Sequence, residues 1–173
     1  IAVLPDGTIV KDATIDISLA GIFLFGMLPA ADPRVVATMK AIEQRLTVRT
    51  PIGGIARYEN DYYFQISNDV ASVPGNPWFV STLWLAEWYI ATASTIDDLE
   101  RPLALLRWCA GKALPSGVLA EQVHPYTGEP LSVSPLTWSH AAFVSAVQHY
   151  ARTSARIKGH ARERVARSGE VIA

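Results

Sequence analysis

Two long stretches without helical period, residues 48–76 and 112–135, interrupt a chain whose other segments repeat apolar residues at α-helical spacing. The remaining links are short: four residues at 28–31 and two at 94–95. Helices joined by such short links fold back as antiparallel hairpins. Loops longer than about 12–15 residues are uncommon in a compact domain and are usually functional. Alternating short and long links therefore predict an all-α chain of two and a half helical hairpins. Its long loops emerge at one end, and a site collects there.

Residues 12–27 are mostly apolar and bounded by Pro29, which predicts a helix buried nearly all round. The apolar run at 17–28 is too short for a bilayer, which needs about 20 residues. It also follows an acidic start rather than the basic one of a signal peptide. Asp32-Pro33 gives an N-cap and a first-turn proline. Val35, Val36, Met39, Ile42 and Leu46 then mark one helical face ending near Thr47. In the first long loop a short strand is expected at 62–66. Trp78, Leu85, Trp88 and Tyr89 set a helix over 77–93. Ser94 or Thr95 caps the next, over 96–110, with Asp97, Asp98 and Glu100 where the helix dipole favours acids. A helix over 136–151 offers Ala141, Val144, Ala146 and Val147 to the core. The helical domain thus spans 12–151. It lies between a lead-in segment, 1–11, and a basic tail or helix, 152–173, with six Lys or Arg against two Glu.

Composition narrows the function. Half of the residues are apolar, which excludes a disordered chain, and one cysteine excludes an internal disulfide. A net charge of -1 gives no reason to expect nucleic acid, and the basic tail reads as a solvated helix end or flexible terminus rather than a nucleic-acid or membrane contact, so neither partner is expected. The unpaired cysteine favours a reducing, cytoplasmic location. None of His124, His140, His149 and His160 has metal-ligand spacing, and phosphate-cradling glycine loops are absent, so neither metal nor cofactor is expected. What remains is carboxylates in aromatic loops. Glu121, with apolar Val118 and Leu119 before it and the amide of Gln122 after it, suits general acid/base work; a solvated loop glutamate is the plain alternative. Arg57 and Asp61 among Tyr58, Tyr62 and Tyr63 make a sugar-pocket lining or a structural ion pair. Trp78 and Trp138 begin helices as pocket walls or packing residues, and Cys109 reads as core.

GGIARYENDYY (53–63), PGNPWFVSTLWLAEWY (74–89) and LPSGVLAEQVHPYTGEPLSVSPLTWSHAAF (114–143) resemble, in order, the C-terminal half of the catalytic domain of glycoside hydrolase family 15. This family contains glucoamylases, glucodextranases and trehalases. DATIDISLAGIFLFGMLPAADPRVVATMKAIE (12–43) is similar to its bacterial-type branch. The resemblance covers roughly residues 12–150. It implies an (α/α)6 toroid, six hairpins in a ring, of which this chain supplies about half. It also implies an inverting, exo-acting hydrolase of α-glucosides, with one carboxylate as acid and another as base. Glu121 matches the base. Arg57 and Asp61 match a substrate-binding arginine and the aspartate that orients it. Tyr58, Trp78, Gln122 and Trp138 match residues near substrate. Glu59, where fungal members carry proline, and the insertion at 65–73 depart from the pattern.

The family's acid lies in an upstream Trp-Glu segment with no counterpart here, because Glu87 stands inside a helix. Several expectations follow. The chain alone is inactive on maltose, starch and trehalose, and its partners are an α-glucoside and the N-terminal half of the domain. A homo-oligomer is possible. Half a ring leaves apolar faces uncovered. The competing reading is a non-catalytic carbohydrate-binding or interaction module built on the same fold.

Overall fold

The computed structural model describes residues 2–170, and the surroundings of side chains for 2–161. It begins with a small hairpin, β1 (Ala2–Val3) paired with β2 (Ile9–Val10). A 3-10 turn, Ile17–Ala20, leads into α1 (Gly21–Leu24), and α2 spans Pro33–Leu46. After the first long loop come α3 (Phe79–Thr92), a 3-10 turn at Asp97–Leu99 and α4 (Glu100–Gly111). The second long loop folds into a hairpin, β3 (Gln122–Val123) and β4 (Pro130–Leu131), before α5 (Thr137–Glu170).

The helix expected over 12–27 is a correction: only 17–24 is helical. The preceding backbone finds partners in the first long loop instead. Ile17 N donates to Arg57 O at 2.8 Å, and Glu59 N to Ile15 O at 3.0 Å. The Glu59 carboxylate accepts from Ile15 N at 2.8 Å and from Arg45 of α2. With Gly26 at φ 75 the helix stops, and Phe25 and Met27 stand exposed rather than buried.

The helix of α2 follows its sequence. Asp32 caps it by accepting from Arg34 N at 2.9 Å, and Val35, Met39, Ile42 and Leu46 are buried. They pack with Ile17, Ala20, Leu85 and Trp88 in one core. The central helix is α3: ten of its fourteen residues are buried, between α4, α5 and the 17–20 turn. Its other face meets Leu106, Cys109, Val123 and Ala146 in a second core. Thr95 Oγ1 accepts from Asp98 N, and Asp98 in return accepts from the Ser94 and Thr95 amides, so both cap candidates join the cap before α4.

No strand forms over 62–66, where Phe64 has φ 53 and only single-residue bridges occur nearby. Gly54, at φ 90, fixes this loop to the core: a Cβ there would lie 2.6 Å from the Trp108 ring and 2.7 Å from Pro77. Trp108 Nε1 meanwhile donates to Ile52 O at 2.7 Å. Along α5 only Ala146 of the four expected core residues is buried; Ala141, Val144 and Val147 are exposed. The face of α5 that they occupy has no neighbour among the described residues. Residues 152–170 continue α5 as helix, and half of the basic side chains of 152–173 lie outside the described residues. None of the described helices is long and apolar enough to cross a membrane.

Candidate active site

The starts of α3, α5 and the 17–20 turn meet the Arg57–Tyr58 segment around a cavity of about 320 Å³. Trp78, just before α3, contributes with Val80, Ser81 and Trp84 of α3, Trp138 of α5, and Asp16, which caps the turn, with Ile17 and Ser18 of the turn. The expected site residues Arg57, Tyr58, Trp78 and Trp138 are therefore together. Trp84 and Trp138 stand edge to face, 5.6 Å between ring centres.

Arg57 is the cation of this cavity. Its guanidinium lies 4.6 Å from the Trp78 ring centre, 4.8 Å from Tyr58 and 5.3 Å from Tyr63. Asp61, 1% exposed, accepts two bonds from it, at 3.0 Å to Nε and 2.8 Å to Nη2. Partial burial opposes the Arg57 charge, but the Asp61 bonds outweigh it and hold its pKa above the ordinary arginine value. This pair fixes the guanidinium plane and leaves Nη1 uncommitted to Asp61. Asp61 itself fits beneath because residue 75 is glycine, where a Cβ would lie 2.8 Å from the Asp61 Cβ. Burial, then the nearby Asp61 charge, pushes the Tyr58 hydroxyl pKa up, so this ring presents a neutral hydroxyl.

Glu121 does not line this cavity. It is half-buried, one residue before β3, whose Gln122 bridges to Trp78 of the cavity wall. Its carbonyl accepts from Phe79 N at 3.4 Å and its amide donates to Val133 O at 2.8 Å. Ser132, a non-glycine residue at φ 65, donates its hydroxyl to Glu121 Oε2. The first turn of α5 grips the residues just before Glu121. Ser139 Oγ donates to Ala120 O at 2.7 Å, and His140 Nε2 accepts from Leu119 N at 3.0 Å. One short sequence, Thr137 to His140, thus sets both Trp138 and the loop that carries Glu121.

Gln122 is a correction as a substrate contact: it is fully buried. Its Oε1 accepts from Asn76 Nδ2 at 2.8 Å, and Asn76 also donates to Phe64 O at 2.7 Å. It therefore fastens one long loop to the other. Asn76 Oδ1, Gln122 Nε2 and Trp78 Nε1 are buried without a hydrogen-bond partner among the described residues. Such unpaired polar atoms are unusual in a core. The insertion at 65–73 adds a further tie, Ser67 Oγ to Tyr126 OH at 2.7 Å.

Sequence reasoning missed Asp16, Ser81, Trp84, Ser132, Ser139 and His140. Trp84 and Trp138 carry a readable signal, since tryptophans near two helix starts point at one end; Asp16 carries none before its pairing with Tyr58 is known. Glu87 lies in a separate trough between α3 and α5, accepting from Ser145 Oγ at 3.3 Å and facing His149 Nδ1 at 2.5 Å. Among the described residues no three His, Cys, Asp or Glu are grouped to hold a metal ion.

The family model for glycosyl hydrolases family 15 matches residues 6–111 and 104–148. An uncharacterized glycosyl hydrolase of Methanocaldococcus jannaschii is 34% identical over 143 residues, 77% of this chain and 21% of the relative. A trehalase of Mycolicibacterium smegmatis is 30% identical over 141 residues, 82% of this chain and 20% of the relative. Among solved structures, a bacterial glucoamylase complexed with acarbose superposes with a TM-score of 0.63 at 27% identity, covering 79% of this chain and 21% of that one. A glycosidase superposes with a TM-score of 0.65 at 24% identity, covering 86% of this chain and 40% of that one; at this identity the likeness shows the fold. The chain spans about a fifth of the length of the curated relatives that it matches.

Proposed function

The chain belongs to glycosyl hydrolase family 15, with the helical fold of a partial (α/α)6 toroid, and from this we propose that it carries the base side of an inverting, exo-acting glycosidase site that releases glucose from α-glucosides. The observation that carries the reading is the joint placement of Arg57, Trp78 and Trp138 around one cavity with Glu121 on the adjoining loop. Aromatic faces take the C–H side of a sugar ring, while a guanidinium held by Asp61 takes its hydroxyls.

In this mechanism Glu121, oriented by Ser132, accepts a proton from a water that attacks the anomeric carbon. A second carboxylate on the opposite side protonates the leaving oxygen. Inverting enzymes keep the two about 6.5–9.5 Å apart to admit that water. On this reading the acid comes from outside these 173 residues, since the family's upstream Trp-Glu segment has no counterpart here and Glu87 lies in the separate trough with His149 and Ser145. The N-terminal half of the ring supplies it and covers the apolar faces of α5 and of Phe25 and Met27.

Trehalose is the second substrate reading, favoured by the trehalase relatives. The test is direct. The purified chain, given maltose, soluble starch and trehalose, releases no glucose, whereas a polypeptide that also carries the N-terminal half releases it with inversion. Turnover by the chain alone overturns the assignment of the acid. Glucose released with retention overturns the mechanism. A preference of the longer polypeptide for trehalose over maltose selects the second reading.

A further inference from the structure

We propose that Asp16 positions the substrate, its carboxylate accepting hydroxyls of a vicinal diol on the sugar that the cavity holds. This rests on the saccharide reading above. Among the ten residues lining the cavity, Asp16 is the one carboxylate and Arg57 the one cation, set among Trp78, Trp84, Trp138 and Tyr58. With one charge of each sign the lining carries no net charge and favours neither a cation nor an anion. The lining suits an uncharged polyol with one apolar face.

The backbone aims Asp16 at this cavity. Asp16 and Tyr58 form an antiparallel bridge, and Ile17 N donates to Arg57 O at 2.8 Å. Residues directly opposite in such a pair have Cβ atoms about 4.5–5.5 Å apart on the same face. The carboxylate therefore stands beside the Tyr58 ring, in the same wall. Its Oδ1 accepts from Ser18 N at 2.7 Å, which caps the 17–20 turn. No hydrogen bond or cation reaches Oδ2 among the described residues. The buried Asp61, in contrast, has both oxygens engaged by Arg57.

The plain role of Asp16 is that of a cap, and one pair of variants separates the two. Asparagine keeps an oxygen for Ser18 N but replaces the acceptor Oδ2 with a donor; alanine removes both. The readout is maltose titration of the 173-residue chain, followed by tryptophan fluorescence, beside melting curves. Wild type responds saturably. D16N melts with wild type yet binds maltose about ten- to a hundredfold more weakly, as loss of hydrogen bonds to a charged group implies. D16A loses binding and also melts lower. In addition, at least one monodeoxyglucose weakens binding to wild type but not to D16N, which identifies the hydroxyl that Asp16 holds. Wild-type affinity in D16N, with only the melting temperature of D16A lowered, overturns the inference and leaves a cap. If wild type responds to neither maltose, glucose nor trehalose, the saccharide reading of the cavity fails first.

Discussion

Ser132 holds Glu121 Oε2 with its hydroxyl from a left-handed backbone at φ 65. A non-glycine residue rarely adopts that conformation. The hairpin enforces it, because Ser132 directly follows β4 and Glu121 directly precedes β3. Glycine at 132 removes the hydroxyl and relieves the backbone; alanine removes the hydroxyl alone. In a catalytically complete polypeptide S132G therefore keeps or gains melting temperature while kcat falls, about tenfold or more for a bond worth about 1.5–3 kcal/mol. S132A loses the same activity with no thermal gain. Steady-state kinetics beside calorimetry check both, and a loss confined to KM speaks against an orienting role.

His140 is the second support of the Glu121 loop. Its Nε2 accepts from the Leu119 amide, and Leu119 is 4% exposed. Replacing His140 with alanine leaves that amide without its partner, at a cost of about 1–3 kcal/mol. Urea denaturation reads this as a lower midpoint with unchanged slope. His140 does not line the cavity of Arg57 and Trp138, so the proposed maltose binding there is expected to be retained.

Gly54→Ala is expected to destabilise more than a surface change. The residue sits at φ 90, and its Cβ would meet both the Trp108 ring and Pro77 below 3 Å. Positive φ alone costs a residue with Cβ about 1–2 kcal/mol. Loss of the Trp108 bond to Ile52 O would follow if the ring moved. Thermal melting monitored by near-ultraviolet circular dichroism reports both effects.

Asp98 gives a pH signature. Its carboxylate accepts from the Ser94 and Thr95 amides, at 2.9 and 2.8 Å, and from the Ser94 hydroxyl, which lowers its pKa from 3.8 to about 2. The folded value lies below the unfolded one, so ionised Asp98 stabilises the fold above about pH 4. That contribution is lost as pH falls from about 4 to 2. Wild type therefore melts higher than Asp98→Ala at pH 6, and the difference shrinks through this window. A difference independent of pH contradicts the cap.

How much was legible depended on where the backbone found its partners. Helix α2 announced itself because Asp32, Pro33 and the spacing of Val35, Met39, Ile42 and Leu46 are local signals. The segment at 12–27 misled because apolar content says nothing of partners 44 residues away, and Ile15 bonds Glu59. The two-residue strands β3 and β4 are too short to show alternation. At the site, Arg57, Tyr58, Trp78 and Trp138, named from the sequence and the family resemblance as candidate substrate contacts, line one cavity. The burial of Gln122 was not recoverable, since an amide beside a carboxylate reads alike whether it faces substrate or Asn76. Val144 and Val147 followed the helical period yet remain exposed, because period identifies an apolar face without showing what covers it.

The central claim is that Glu121 acts on water beside a cavity that binds sugar without it. Glu121→Gln, in a polypeptide containing the whole ring, keeps the shape and the bond from Ser132 but cannot accept a proton. Initial rates of glucose release, measured beside maltose affinity by fluorescence titration, separate chemistry from binding. The account predicts unchanged affinity and a rate lower by about 10²–10⁴-fold, the usual contribution of a general base. Glucose release near the wild-type rate would contradict it.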